Sequence, residues 1–227
     1  MRLTYHGQSC FIIENGQDSI IIDPFLSGND KATIKPDDVN VSYVLLTHGH
    51  GDHVLDAEAI ARRCNATIIA PNELANYYGS KGLNVHPLHI GGKHDFPFGR
   101  VKLTLAFHGS GMETDNGLVY VGPPVGFLIT MDGKTIYHAG DTGLFGDMKI
   151  IGELNNIDIA LLPIGDNFTM GPEDALIAAE WVRAKTVIPM HYNTFPLIAQ
   201  DGGQFVRDLK DKGINGIELK IGESAEF

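Results

Sequence analysis

The chain of 227 residues contains only two cysteines, Cys10 and Cys64, and neither belongs to a Cys-x-x-Cys pair. This scarcity excludes a disulfide-stapled fold and a thiolate zinc site, so both thiols are expected to be free and buried in a reducing compartment. No apolar run approaches the ~20 residues that a membrane helix needs, and residues 1–7 carry no hydrophobic signal region. We therefore predict a cytoplasmic protein that does not interact with a membrane.

Positive charge is also scarce, because 17 Lys and Arg stand against 28 Asp and Glu, for a formal net charge of −11. A general affinity for nucleic-acid phosphates requires clustered basic residues, so no nucleic-acid partner is expected. The length suits one substantial hydrophobic core and is too short for two comfortable domains. We predict a single domain over residues 1–227 that acts on a small-molecule substrate.

Histidine, in contrast, is clustered: the stretch Thr-His-Gly-His-Gly-Asp-His occupies residues 47–53 and follows the apolar run 41–46. Residues two apart in an extended segment point the same way, so His48 and His50 can bind one ion together. Asp52 and His53 lie where the chain turns into the next helix and can face a second ion. A metal site is the prediction, and a surface loop that is merely rich in histidine is the alternative.

The rest of the chain alternates between strand and helix patterns, which indicates α/β layering. Strands are predicted at residues 3–6, 9–14, 19–23, 67–71, 101–107, 125–131, 134–138, 158–163, 186–190 and 217–221. Helices are predicted at residues 57–64, 73–79, 172–183 and 204–210. Residues 26–40 are assigned to a loop, and the glycine-rich residues 109–124 to a mobile flap over the site.

Three further candidate ligands, His108, Asp141 and His191, each follow a predicted apolar strand. Ligands at strand ends converge, because the strands of packed sheets finish on a common edge. With the motif, the set becomes five histidines and two aspartates. That is too many donors for one tetrahedral zinc and suits two ions that share a bridging carboxylate.

Several other polar residues have two interpretations. Asp23 ends a strand and is either a turn former or a group beside the site. His6 is either a pocket residue or a hydrogen-bonded core residue, and Asn167 either contacts substrate or forms a turn. We assign structural or surface roles to the remaining histidines, His86, His89, His94 and His138.

The order of these candidate ligands, with Asp141 in a Gly-Asp-Thr-Gly context, resembles the ligand set of the metallo-β-lactamase superfamily. Residues 6–11, 22–25 and 163–172 are similar to small metal-dependent hydrolases related to ascorbate-6-phosphate lactonase. The resemblance implies an α/β fold (α+β in some schemes), a four-layer αββα sandwich. In this fold two mixed β-sheets pack face to face, helices lie outside, and a dinuclear centre lies at the sheet edge.

The resemblance also implies a role for each ligand. His48, His50 and His108 would hold one ion. Asp52, His53 and His191 would hold the other, and Asp141 would bridge them. The implied cofactor is two divalent ions, with zinc preferred and manganese, iron or nickel as alternatives. Relatives with this fold commonly form oligomers, so the resemblance allows both a monomer and a homo-oligomer.

The expected chemistry is hydrolysis by a hydroxide that bridges the two ions. Asp52 is predicted to orient the nucleophile and carry its proton, while Asp23 and Thr47 fix imidazole orientation. The nearest resemblance implies a lactone or other small ester, such as that of a phosphorylated sugar acid. A phosphodiesterase is the alternative enzyme. A non-enzymatic metal-binding or scaffold protein is the alternative of another class, which a set of seven donors disfavours.

Overall fold

The first β-sheet combines the N-terminal half of the chain with its last strand. The computed structural model describes residues 1–227 and places seven strands in this sheet: β1 (Arg2–Tyr5), β2 (Phe11–Glu14), β3 (Ser19–Ile22), β4 (Tyr43–Leu45), β5 (Thr67–Pro71), β6 (Val85–Leu88) and β15 (Ser224–Glu226). Their order is β15-β1-β2-β3-β4-β5-β6. Pairing is antiparallel from β15 to β3 and parallel from β3 to β6, so the sheet is mixed.

The second sheet is also mixed and contains six strands: β7 (Lys93–Phe96), β8 (Gly99–Leu105), β11 (Val125–Met131), β12 (Lys134–His138), β13 (Ile159–Pro163) and β14 (Thr186–Met190). Their order is β14-β13-β12-β11-β8-β7. The turn 132–133 connects β11 and β12 in the hairpin expected of Asp-Gly. Strands β9 (Gly111–Thr114) and β10 (Gly117–Tyr120) form a separate hairpin.

Six α-helices cover the outer faces of the two sheets. They are α1 (Gly51–Val54), α2 (Ala57–Cys64), α3 (Asn72–Ser80), α4 (Met148–Leu154), α5 (Pro172–Val182) and α6 (Gly202–Asp211). Two 3₁₀ turns, Pro36–Asp38 and Pro196–Ile198, lie in connecting loops. No helix has the length and apolar character required to cross a membrane.

The central strands are apolar on both faces, which explains why the sheets pack face to face. In β3, Ile20 and Ile22 join the buried cluster between the two sheets, whereas Ile21 joins the cluster under α2 and α3. In β13, Ile159 faces the other sheet and Ala160 faces α5. Since side chains alternate along a strand, each sheet is covered by the other sheet and by helices. The predicted αββα sandwich is confirmed.

Some predicted boundaries and elements were wrong. Residues 217–221 form no strand, because this segment crosses from one sheet to the other: the amide of Ile217 donates to the carbonyl of Val187 in β14, and the amide of Gly222 donates to the carbonyl of Tyr5 in β1. The last strand is β15 instead. Strands β6 and β7 were missed because β6 contains Pro87 and both are largely solvent-accessible edge strands, without an apolar alternation.

Residues 109–124, for which a mobile flap is predicted, contain the β9–β10 hairpin. Its base packs on the candidate metal-binding motif, residues 47–53: the amide of Gly49 donates to Ser110 Oγ at 3.2 Å, and Val121 and Met112 are buried. Its tip exposes Leu118 and other apolar side chains. The base of the hairpin therefore contacts the motif, whereas its tip is exposed to solvent.

Candidate metal centre

The seven predicted ligands lie at the ends of strands from both sheets. The motif follows β4 of the first sheet, while His108, Asp141 and His191 follow β8, β12 and β14 of the second. The amide of Val125 donates to the carbonyl of Thr47 at 3.0 Å and joins the two sheets at this edge. The site is therefore built across the junction of the sandwich.

The motif itself changes direction at His50, which has extended backbone and precedes α1. The amide of His53 donates to the carbonyl of His50 at 3.0 Å, which closes the first helical turn. This turn separates the motif into an extended part, with His48 and His50, and a helical part, with Asp52 and His53. The predicted division into two ligand pairs follows from that change of backbone.

The first group of donors contains three imidazoles. His48 Nε2 lies 3.0 Å from His50 Nδ1, and His108 Nε2 lies 3.3 Å from the same His50 nitrogen. Three ring nitrogens therefore converge on one point.

The second group contains two imidazoles and two carboxylates. Asp141 Oδ2 lies 2.9 Å from His191 Nε2 and 3.3 Å from His53 Nε2. Asp52 Oδ2 lies 3.5 Å from both of these nitrogens. Asp141 Oδ2 is also 3.7 Å from His108 Nε2, so this one oxygen lies between the two groups.

These spacings fit divalent ions. A tetrahedral zinc with bonds of about 2.0–2.1 Å separates its ligand atoms by about 3.3 Å, within the range of distances found in both groups. In addition, the buried His53 Nε2 has no hydrogen-bond partner, although it points at two carboxylates. Asp52 and Asp141 are paired with histidines and with no lysine or arginine, so a metal cation held here would offset their negative charge.

The pKa values agree with this charge distribution. Burial lowers the pKa of His48 well below its ordinary value, and nearby His53 lowers it further, so His48 is a neutral donor. Burial also lowers the pKa of His53, but the carboxylates of Asp141, Asp52 and Asp23 outweigh it and raise this pKa well above its ordinary value. Without a metal, His53 thus holds a proton at the place where the carboxylates favour a cation.

A buried network fixes the tautomers of two of these histidines. Asp23 Oδ2 accepts hydrogen bonds from His53 Nδ1 at 2.8 Å and from Thr47 Oγ1 at 2.6 Å. Because the Thr47 hydroxyl donates to Asp23, it accepts from His48 Nδ1 at 2.9 Å. In the neutral imidazoles of His48 and His53, Nδ1 therefore carries the proton and Nε2 is the nitrogen that can bind a metal. Asp23 and Thr47 lie where the predicted orienting role requires them.

Gln8 is a member of the site that the sequence analysis missed. Its side-chain nitrogen Nε2 donates to Asp52 Oδ2 at 2.7 Å and lies 2.9 Å from His191 Nε2, while its backbone carbonyl accepts from the backbone amide of His191 at 2.7 Å. Gln8 has φ of +52° in the tight turn between β1 and β2. The available signal was its position directly after a strand, at the edge where the ligands meet.

The structure does not bring His6 and Asn167 to the metal groups. His6 is buried outside the site, and burial lowers its pKa to about 4. Asn167 is exposed in a turn. His138 is buried and bonded to the backbone of Ser9 and Gly140, as its structural assignment requires. His86 packs against His94, away from the site.

The donor groups open onto a cavity of about 590 Å³. Its walls are His50, Asp52, His108, Asp141, Phe168, His191, Phe195, Pro196 and Leu197. Asp52 is 25% exposed whereas Asp141 is 3% exposed, so Asp52 is the accessible carboxylate. No residue of the β9–β10 hairpin lines this cavity.

The sandwich and its donor set define the class of the protein. Residues 2–191 match the family described as β-lactamase superfamily domain, and the chain belongs to this family. The chain is 60% identical over 228 residues to a UPF0173 metal-dependent hydrolase of Geobacillus sp. strain WCH70, and 59% identical over 229 residues to YtkL, a UPF0173 metal-dependent hydrolase of Bacillus subtilis strain 168. Each alignment covers 100% of both chains. These relatives place the chain within the metal-dependent hydrolases of the metallo-β-lactamase superfamily.

A solved structure of similar sequence has the same fold. Igni18, a metallo hydrolase from the archaeon Ignicoccus hospitalis KIN4/I, superposes with a TM-score of 0.90 at 37% identity. The match covers 100% of this chain and 98% of that one. The predicted membership of the superfamily is therefore confirmed.

Proposed function

We propose that this chain, acting as one domain over residues 1–227, hydrolyses a small carboxylic ester or lactone with two bound divalent ions, zinc preferred. The observation that carries the proposal is that the seven donors form two groups around Asp141 and open onto a cavity. A structural metal site is closed by its protein ligands, whereas a catalytic site keeps an open position. Five of the donors line the cavity wall, which favours catalysis over a scaffold role.

A carbonyl substrate fits the walls better than a phosphodiester. Apart from the candidate ligands, the walls contain only Phe168, Phe195, Pro196 and Leu197. Enzymes that bind phosphate usually supply Arg, Lys or several backbone amides for its charge. A neutral carbonyl group requires none of these.

In the proposed reaction, water adds to the acyl carbon and the acyl carbon–oxygen bond breaks, which yields a carboxylic acid and an alcohol. Two divalent ions held by these donors would lower the pKa of a bound water towards neutrality and would polarise the carbonyl oxygen. Asp52 accepts the proton of the attacking water and returns it to the departing alkoxide oxygen. The side-chain nitrogen of Gln8 donates to Oδ2 of Asp52 and so orients this carboxylate. The hydrogen bonds of Asp23 keep His48 and His53 in the tautomer that binds metal.

The test combines metal content with turnover. Protein purified without chelators is assayed for metal per chain and for hydrolysis of lactones, carboxylic esters, thioesters and phosphodiesters. About two ions per chain, with ester or lactone turnover that Asp52→Asn lowers by a factor of at least about 100, supports the proposal. Exclusive turnover of phosphodiesters would replace it with the alternative enzyme. One ion per chain, no turnover and unfolding on metal removal would indicate a structural metal.

A further inference from the structure

The cavity beside the metal centre has an apolar wall that the metal chemistry does not require. Phe168 lies in the loop after β13, and Phe195, Pro196 and Leu197 lie in the loop after β14. These residues line the same cavity as Asp52 and His191. A molecule bound at the donors is therefore in reach of this wall.

Much of this wall is uncovered. Leu197 is 68% exposed and Phe168 is 51% exposed, although each is a large apolar side chain. Apolar surface exposed to water costs roughly 25 cal/mol per Å², and a group of such side chains around a concave site usually marks a binding surface. A ligand that covers these two side chains would remove that cost.

The wall is held in place by the structure beneath it. The ring of Phe195 packs against the buried ring of Phe25, with 6.0 Å between the ring centroids. Asn193 has φ of +61°, and its side chain is hydrogen-bonded to both the amide and the carbonyl of Gln200, at 2.9 Å each. Ile198 is fully buried under the same turn. Since these contacts hold the loop after β14 at both ends, binding requires little ordering of Phe195, Pro196 and Leu197.

The wall also lacks groups that bind a charged substituent. No lysine or arginine is among the residues that line the cavity. The neighbouring cation, Lys31, is hydrogen-bonded to the carbonyl of Asn193 instead. A phosphate or carboxylate on the part of the substrate that meets the wall would be desolvated there without a counter-charge.

We propose that the wall formed by Phe168, Phe195 and Leu197 is an acyl-binding subsite, and that the substrate is an ester or lactone with an uncharged apolar acyl portion. The acyl carbon lies at the donors during attack, so the acyl chain attached to it is within reach of the wall of the same cavity. The inference rests on the proposed function. It departs from the phosphorylated sugar acid that the resemblance implied, because the wall offers no partner for a phosphate.

A binding experiment tests the subsite without turnover. Calorimetry of the metal-loaded full chain compares acetate with hexanoate, which share the carboxylate and differ in the apolar chain. Hexanoate is expected to bind at least about tenfold more tightly, since each buried methylene contributes about 0.8 kcal/mol. Leu197→Ala and Phe168→Ala should each reduce this preference several-fold. Leu154→Ala is the matched control, because Leu154 is 74% exposed at the end of α4 and does not line the cavity.

A turnover experiment then tests whether the subsite prefers an uncharged acyl chain to a charged one. Phenyl hexanoate is compared with the monophenyl ester of adipic acid, which has the same six-carbon acyl chain with a carboxylate at its end. We expect kcat/KM to be higher for the hexanoate by about tenfold or more.

The outcomes separate the two proposals. Equal binding of acetate and hexanoate, or a preference for the adipate monoester, would overturn the apolar subsite. If hexanoate binds preferentially, this preference depends on Leu197 and no ester is hydrolysed, the apolar subsite is supported and the proposed function is refuted. Preferential binding together with preferential hydrolysis of the hexanoate supports both.

Discussion

The substitution Asp23→Asn tests how the buried network controls metal binding. The Asp23 carboxylate accepts three hydrogen bonds. Its Oδ1 atom accepts from the Thr47 amide (2.8 Å), and its Oδ2 atom accepts from the Thr47 hydroxyl (2.6 Å) and from His53 Nδ1 (2.8 Å). Asparagine has the same shape but only one acceptor oxygen. Its amide group must therefore face a donor in either orientation.

The magnitude follows from that mismatch. A buried donor without an acceptor costs about 1–3 kcal/mol, so the variant should be destabilised by about that amount. The larger effect is expected on the metal, because the network holds the free Nε2 atoms of His48 and His53 in place. Loss of a partner that orients a metal ligand typically lowers metal affinity by about 10–100-fold, and we expect a loss in that range.

The assay is competition for zinc between the protein and a chromophoric chelator, with metal per chain measured in parallel. Asp56→Asn is the matched control: Asp56 is also buried and accepts hydrogen bonds from the Leu26 amide at 2.6 Å and the Ser27 amide at 3.0 Å. It contacts no predicted ligand through these bonds. The control should retain metal affinity. Wild-type zinc affinity in Asp23→Asn, or an equal loss in Asp56→Asn, would refute the reasoning.

Three further predictions concern stability. Metal removal by a chelator should lower Tm and abolish hydrolysis, and zinc should restore both; an unchanged Tm would contradict a bound metal. Gly152→Ala places a Cβ 2.1 Å from the Trp181 carbonyl and should cost about 1–3 kcal/mol in urea unfolding, whereas Gly146→Ala, with no atom within 4 Å, should be near neutral. Burial raises the pKa of Asp158, but Lys185, the Thr135 amide and Lys134 together outweigh burial and lower this pKa below its ordinary value. The carboxylate therefore stabilises the fold above the ordinary pKa and loses this effect as pH falls. Asp158→Asn should thus cost about 1 kcal/mol at pH 7, and this difference should shrink below about pH 4, as unfolding at several pH values would show.

The candidate ligands could be identified from sequence because the signal is local. Four of them, residues 48–53, lie in one short stretch, and the other three each follow an apolar strand. Strand alternation and helical periodicity are properties of neighbouring residues, so most strands and helices were predicted near their observed bounds. The roles of these residues as ligands stay predictions that the zinc experiments above test.

The missed parts depend on contacts between distant segments. Gln8 is 44 residues from Asp52 and 183 from His191 in sequence, and only the joining of the two sheets brings its amide to both. Strands β6 and β7 lie at sheet edges, where few apolar side chains face the core and the local pattern is weak. The crossing segment 217–222 is likewise determined by the separation of the two sheets rather than by its own residues.

By itself, the sequence determined the alternation of strands and helices, the candidate ligands and the family. Only the tertiary structure decided the distances of Asp141 Oδ2 from the two donor groups, the contact of Asp23 with His48 through Thr47, and the position of an apolar wall beside the donors. The physical reason is that local patterns specify which face of each segment is buried, whereas packing of the two sheets sets which strand ends meet and at what distance.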